Sequence, residues 1–239
     1  MNCLRSMQFI KKISGYYAKF GLKTIVVHPP EWRFEKHKQN ILKALKVNRI
    51  FLPLVIDKDK KIIKKFGINF WPAQLLIKDA KIMYKNVGEG NYKKLEVNIR
   101  NLLKVDGKII FKKEPSYSEY PTVYTGRRKN GVIKRLENKL KFGKIYIKGL
   151  WAQKEEYIEG RSRNCEISIV TKGKIVNFVA KSLSKKQVKL KVKLNNKDIK
   201  NIKINKPGMY RIFQIKNDTQ NILSLATGKN IAIYSFSFQ

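Results

Sequence analysis

Two cysteines are the residues of this sequence best suited to covalent chemistry, and they stand far apart at Cys3 and Cys165. A cysteine reacts as the thiolate, which the exposed amides and the dipole at a helix start favour. Cys3 directly precedes a predicted helix, whereas Cys165 lies in an alternating strand pattern typical of a protein core. We therefore expect at Cys3 either thiol chemistry or a small inert buried thiol, and at Cys165 a packing role.

Other chemically versatile side chains are sparse. The two histidines, His28 and His37, show no paired spacing with the cysteines of the kind that structural zinc sites use, so we expect neither a metal nor another cofactor. Glu31 follows the end of a predicted strand, where α/β sheets place functional loops. It is a candidate active-site residue that helps a cysteine proton to move. The alternative, a cap on the following helix, stays open.

The first hundred residues predict alternating helices and strands. Apolar residues three and four apart from Leu4 to Phe20 indicate a helix, which Gly21 ends in a left-handed conformation. Leu22–Val27 is a β-branched run suited to a strand buried on both faces, and Pro29-Pro30 ends it. The pattern continues with helices over 33–46, 60–66 and 92–103 and strands over 52–56, 74–77 and 82–87. This order predicts an α/β domain.

The remainder of the chain changes to short segments of period two. They are separated by turn pairs such as Asn195-Asn196 and Pro207-Gly208, and this spacing predicts an antiparallel β-sandwich with lysines on its solvated faces. We predict three parts: a domain over residues 1–104, a linker and lead-in over 105–144, and a jelly-roll-like all-β sandwich over 145–239. The predicted strands contain 165–169, 188–194, 209–215 and 232–238.

Net charge is extreme at +36, yet it is spread along the chain. Residues 1–104 carry 23 basic and 7 acidic side chains, and residues 105–239 carry 30 and 10, which gives +16 and +20. Diffuse charge governs solubility and non-specific association, so we expect only weak, salt-sensitive polyanion binding. The sequence has no apolar run long enough to span a membrane and no apolar leader, which predicts a soluble, cytoplasmic protein for the chain as written.

Five landmarks in order carry a resemblance to DipZ-type proteins, a TlpA-like redoxin branch of the thioredoxin superfamily, including their C-terminal module. In that family the segment Cys-Ile-Asn-Cys-Leu-Arg begins the active-site helix, and Met1 here stands where the Ile would be. The landmarks are Asn2-Cys3-Leu4-Arg5, Val27-His28-Pro29-Pro30-Glu31 with Phe34-Glu35, Phe70-Trp71-Pro72-Ala73, Gly88-Glu89-Gly90 with Tyr92 and Glu96, and Gly149-Leu150-Trp151 with Tyr210-Arg211-Ile212-Phe213-Gln214.

This resemblance implies an α/β thioredoxin-like domain that lacks its first strand, with Cys3 as the second cysteine of the motif. The expected activity is thiol–disulfide exchange or peroxide-related, antioxidant reduction with a protein disulfide or dithiol partner, crippled in this chain because the nucleophilic cysteine is absent. We expect a true start further upstream, and then an extracytoplasmic or membrane-associated location becomes the alternative. Trp71 and Pro72 would bind substrate, with Pro72 as a cis-proline, although an ordinary turn proline is the alternative reading.

The C-terminal sandwich resembles carbohydrate-binding modules, which gives a second hypothesis of a different class. Trp151, Tyr157 and Tyr210 would offer stacking faces to a sugar, or serve simply as core aromatics. The expected absence of the first strand also has a structural consequence. Without that strand, the strands predicted near residues 22–27 and 74–77 each leave an inner edge facing a gap.

Overall fold

The computed structural model describes residues 2–111, 120–184 and 186–239, which fall into two compact units over residues 1–117 and 118–239. Among the described residues, no helix is both long and apolar enough to cross a membrane. Each unit has a fold of its own.

The described residues of the first unit form four α-helices and four strands in the predicted order. The helices are α1 (Asn2–Tyr17), α2 (Lys38–Val47), α3 (Lys61–Lys65) and α4 (Tyr92–Leu103), with 3₁₀ turns at Ala18–Phe20 and Arg33–Lys36. The strands are β1 (Val26–His28), β2 (Leu54–Ile56), β3 (Ala73–Lys78) and β4 (Lys81–Val87). Gly21 ends the first helical segment with φ of 96°, which confirms the predicted left-handed cap.

These strands form two separate sheets. β1 pairs only with β2, in parallel, and β3 pairs only with β4, antiparallel. Helix α1 spans them: the Gln8 side chain donates to the Asn48 carbonyl ahead of β2 (3.3 Å), and the Ser6 hydroxyl accepts from Gln74 on β3 (3.2 Å). Within the described residues, the two sheets therefore contact one helix without sharing a ladder.

Two predicted elements need correction. The strand expected over 22–27 with both faces buried is observed at Val26–His28, and Ile25 ahead of it is 64% exposed. β1 has a single neighbour, β2, so the residues before Val26 have no ladder to extend them. The helix expected over 33–46 is broken at His37, which has extended dihedral angles between the 3₁₀ turn and α2.

The core of the first unit lies between α1 and α4. Ile13 and Tyr17 are buried against Tyr92, Leu95 and Ile99. The chain after α4 completes this core, because Phe111 packs there too.

Glu96 holds that following segment in place. Its side chain is fully buried on α4 and accepts hydrogen bonds from the Tyr17 hydroxyl (2.6 Å) and from the backbone N–H groups of Ile110 and Phe111. Burial, followed by the bond to Glu96, raises the pKa of Tyr17 to about 12. Residues 105–111 of the predicted linker are thus a packed part of the first unit.

The substitution Glu96→Gln should destabilise the first unit. It removes one acceptor oxygen from a buried site, and each donor left unpaired costs about 1–3 kcal/mol. The four helices of the described chain all lie in this unit, so the helical circular dichroism signal in urea reports its unfolding. Asp106→Asn, the same change at an exposed position of the same segment, is the control and should leave the midpoint unchanged. Equal midpoints for the two variants would contradict this role of Glu96.

The second unit is a β-sandwich, with twelve strands in the part of the chain that the structure describes. One sheet has the order β13-β12-β15-β10-β7-β6, and the other has the order β14-β11-β16-β9-β8, with β5 also paired to β16. The strands are β5 (Val123–Tyr124), β6 (Ile133–Arg135), β7 (Ile145–Lys148), β8 (Trp151–Gln153), β9 (Ile158–Gly160), β10 (Cys165–Thr171), β11 (Ile175–Ser182), β12 (Val188–Leu194), β13 (Lys197–Ile204), β14 (Gly208–Gln214), β15 (Asn221–Thr227) and β16 (Ile231–Phe238).

A single core joins the two sheets. Its members come from both, for example Ile167, Leu190 and Leu225 from the first and Phe178 and Phe236 from the second. The period-two segments are therefore confirmed as strands of a sandwich. Strands β5 and β6 extend the sandwich into the predicted linker and lead-in over 105–144; residues 112–119 of that segment lie outside the described residues.

Candidate functional site

Cys3 lies in the first turn of α1 and is half-buried. Burial raises the pKa of its thiol to about 11, and the negative charges of Glu31, Glu35 and Glu89 add to that increase. The expectation that the helix start would favour a thiolate here is wrong. Desolvation and three carboxylates outweigh the dipole, so Cys3 is a neutral thiol at pH 7.

Arg5, one helical position beyond Leu4, fixes the loop that faces Cys3. Its guanidinium makes an ion pair with Glu89, with Nη2 to Oε2 at 2.9 Å and Nε to Oε1 at 3.1 Å. The Glu89 side chain is only 7% exposed. Gly88, directly ahead of Glu89, donates its N–H to the Pro72 carbonyl at 2.8 Å. The Arg5–Glu89 pair and this backbone bond together connect the Cys3 helix to Pro72.

A second chain of hydrogen bonds runs parallel to the first. Gln74, two residues beyond Pro72, donates to Ser6 and accepts from the Asn86 amide at 2.6 Å. Asn86 also donates to the carbonyl of Gly90. Both networks are therefore built from side chains that flank the predicted site residues Cys3 and Pro72.

Pro72 is buried at the start of β3, and the Trp71–Pro72 peptide bond is cis. The ring of Trp71 is half-buried, with the Lys60 ammonium 4.9 Å from its centroid. Trp71 and Pro72 thus lie directly ahead of the first residue of β3, next to the loop that carries Glu89.

Glu35 performs the capping function considered for Glu31. Its carboxylate accepts from the backbone N–H of Glu31 at 2.7 Å and of Trp32 at 3.3 Å. Burial raises the pKa of Glu35 to about 7, against the lowering effect of the bond from Glu31. A carboxyl group with this pKa gains and loses a proton near neutral pH.

His28, at the end of β1, carries a buried Nε2 atom that has no hydrogen-bond partner among the described residues. Burial lowers the pKa of this imidazole, which favours its neutral form at pH 7. No three His, Cys, Asp or Glu side chains of the described residues group as ligands for a metal.

The sequence analysis missed Arg5, Glu35 and Glu89 as site residues. All three lie inside the motifs that carry the resemblance to DipZ-type proteins. In the sequence, however, Gly88-Glu89-Gly90 served only as a landmark of that family and did not indicate a site. A buried ion pair joins positions 84 residues apart, and no local spacing indicates such a contact.

The candidate residues of the second unit do not lie together at one site. Cys165 is buried, and its thiol lies 3.1 Å from the Leu150 carbonyl. Tyr210 is on β14 and Trp151 is on β8, at opposite ends of one sheet. The ring of Tyr157 is tilted against that of Tyr234, with the centroids 5.1 Å apart. These three aromatic side chains do not form one stacking platform.

Comparisons with known proteins match parts of the chain. Residues 124–238 match the family model described as the thioredoxin-like C-terminal domain. The chain is 32% identical over 107 residues to Protein DipZ of Mycobacterium bovis and, equally, of Mycobacterium tuberculosis. That alignment covers 43% of this chain and only 15% of the length of DipZ.

Solved structures share only distant likeness. A family 35 carbohydrate-binding module from Clostridium thermocellum is 8% identical, with 41% of this chain and 92% of that chain covered and a TM-score of 0.34. The module CBM36 in complex with calcium and xylotriose is 11% identical, with 50% and 100% covered and a TM-score of 0.33. Both TM-scores are below 0.5, which is too low to infer a property of this chain from either module.

The reactivity of Cys3 should follow its raised pKa. In a Cys165→Ser background, the rate of alkylation by iodoacetamide should rise with pH until about pH 11, because only the thiolate reacts. Glu35→Gln removes a nearby negative charge and should shift the profile to lower pH. An inflection near the ordinary cysteine pKa, about 8.5, would contradict the environment described for Cys3.

Glu35 should make stability depend on pH. A carboxyl group whose folded-state pKa is raised from 4.5 to about 7 binds more protons in the folded state, so its contribution is complete below pH 4.5 and is lost as pH rises through 7. The change is at most about 3 kcal/mol. Urea unfolding at several pH values should show this fall in the natural chain. It should be absent in Glu35→Gln, which keeps an acceptor for the Glu31 N–H; a fall of equal size in that variant would assign the effect to another group.

Proposed function

We propose that the first unit is a thioredoxin-like module that carries out thiol–disulfide exchange, with Cys3 as the resolving thiol of a cysteine pair. The observation that carries this is the environment of Cys3: a half-buried thiol with a pKa of about 11, at the start of a helix tied to Pro72 through Arg5 and Glu89. A resolving cysteine has to stay protonated until a mixed disulfide reaches it. The 32% identity of part of the chain to DipZ supports a redox-related role.

The reaction needs a second thiol, which the DipZ-type motif places three residues before Cys3. That thiol, as thiolate, attacks a substrate disulfide, forms a mixed disulfide and releases one substrate sulfur. Cys3 then loses its proton, and its sulfur bonds to the sulfur of the first cysteine. The bond to the substrate breaks, and the departing substrate sulfur takes up a proton.

Glu35 is the proposed acceptor of the Cys3 proton. Its carboxylate is ionised in part at neutral pH, and its charge acts on the Cys3 thiol. The two pKa values, about 11 and about 7, make the proton transfer uphill by about 5 kcal/mol. Cys3 therefore rests as a thiol and ionises only as the new S–S bond forms.

An extended chain tests this proposal. Replacing Met1 by Cys-Ile gives Cys-Ile-Asn2-Cys3, and this chain should catalyse the reduction of insulin by dithiothreitol. The same chain with Cys3→Ser should stop at a mixed disulfide that mass spectrometry detects. Cys165→Ser is the matched control and should keep full turnover, because that thiol is buried in β10. Undiminished turnover with Cys3→Ser would reject the resolving role.

Carbohydrate binding by the sandwich stays a prediction. The separation of Trp151 and Tyr210 on opposite edges of their sheet gives no specific observation in its favour. A glycan array probed with the whole chain would test carbohydrate binding, because an array on which no glycan binds the chain would remove the support for this hypothesis. Peroxide-related reduction also stays a prediction.

A further inference from the structure

The outer face of the β12–β13 hairpin carries a concentration of positive charge. Residues 186–206 contain eight lysines and one aspartate, a net charge of +7 over 21 residues. The whole chain, at +36 over 239 residues, averages about half that density. Positive charge is therefore denser than the chain average in this hairpin, although it is spread over both halves of the sequence.

Strand geometry places four of these lysines, one on β13 and three on β12, on one face. Leu190 and Val192 of β12 are fully buried in the core, so Lys189, Lys191 and Lys193 alternate with them on the outer face. In the register with β13, Lys189 lies directly opposite Lys203. Like charges directly opposite each other destabilise a sheet.

Only one acidic group of the hairpin compensates. Asp198 pairs with Lys191 at 2.7 Å, and both side chains are more than half exposed. Lys189, Lys193 and Lys203 have no ion pair among those found in the described chain. A face with unneutralised, mutually repelling cations favours a partner that brings many negative charges at once.

The neighbouring residues distinguish between anionic partners. Two aliphatic side chains of the same sheet are exposed, Ile199 in the bulge of β13 (42%) and Ile222 on β15 (42%). The hairpin contains no aromatic residue on which a nucleic-acid base could stack. Cationic side chains interspersed with aliphatic ones are typical of proteins that lie at a lipid surface.

We propose that this lysine face, defined as Lys189, Lys191, Lys193 and Lys203 with Ile199 and Ile222, docks on the surface of an anionic lipid bilayer. Juxtaposition with anionic headgroups neutralises the Lys189–Lys203 repulsion. The surface potential of such a membrane attracts basic residues within a Debye length, about 8 Å at physiological ionic strength. Each lysine strengthens binding roughly fivefold.

Vesicle sedimentation with the whole chain tests the proposal. Vesicles of phosphatidylcholine with about one third phosphatidylglycerol should bind the chain at low salt, and phosphatidylcholine alone should not. The variant Lys189→Gln/Lys193→Gln/Lys203→Gln keeps the Lys191–Asp198 pair and should bind about 100-fold more weakly. Its melting temperature should be equal or higher, since the change removes a like-charge contact, so loss of folding would not explain the result.

A matched variant separates a docking surface from net charge. Lys139→Gln/Lys174→Gln/Lys229→Gln removes the same charge from exposed positions elsewhere in the second unit and should weaken binding much less. Equal weakening by the two triple variants overturns the proposal. So does binding of a fluorescent single-stranded oligonucleotide without binding to the anionic vesicles.

Discussion

The ion pair between Arg5 and Glu89 is the contact on which the arrangement of the first unit depends. It joins α1, whose first turn contains Cys3, to the loop after β4. Gly88, directly ahead of Glu89, donates its N–H to the Pro72 carbonyl. Because the two small sheets do not pair with each other, helix α1 is their shared support. Removing one partner of a buried pair leaves the charge of the other uncompensated, so a substitution of only one of the two residues is destabilising.

Burial is the largest influence on the pKa of the Cys3 thiol, and the nearby carboxylates add to its effect. A helix start favours an anion, yet desolvation and the carboxylates of Glu31, Glu35 and Glu89 oppose one. The balance separates the pKa values of the thiol and of Glu35 by several units while keeping both groups in one neighbourhood. Such separation suits a site in which one group keeps its proton at rest and another exchanges it near neutral pH.

Charge has a different role in the second unit. The sandwich is stabilised by an apolar core drawn from both sheets, and its lysines stand on outer faces where they add little to stability. Their placement on one hairpin, opposite each other across two strands, is a feature of recognition rather than of folding. The two units thus use ionisable groups in different ways: the first buries a few acids, and the second displays many bases.

The sequence by itself determined the order and type of most elements. Period two identified β12 at its observed bounds, 188–194, and helical spacing identified α4 at 92–103, because side chains on a buried face repeat with the geometry of the element. It also singled out Cys3 and Pro72. The tertiary structure alone decided that the charges of Glu35 and Glu89 act on Cys3 together with that of Glu31, because the positions of these residues depend on distant contacts. It likewise decided that β1 is short and that Lys189 meets Lys203, because register and strand partners are properties of the folded chain and not of any local segment.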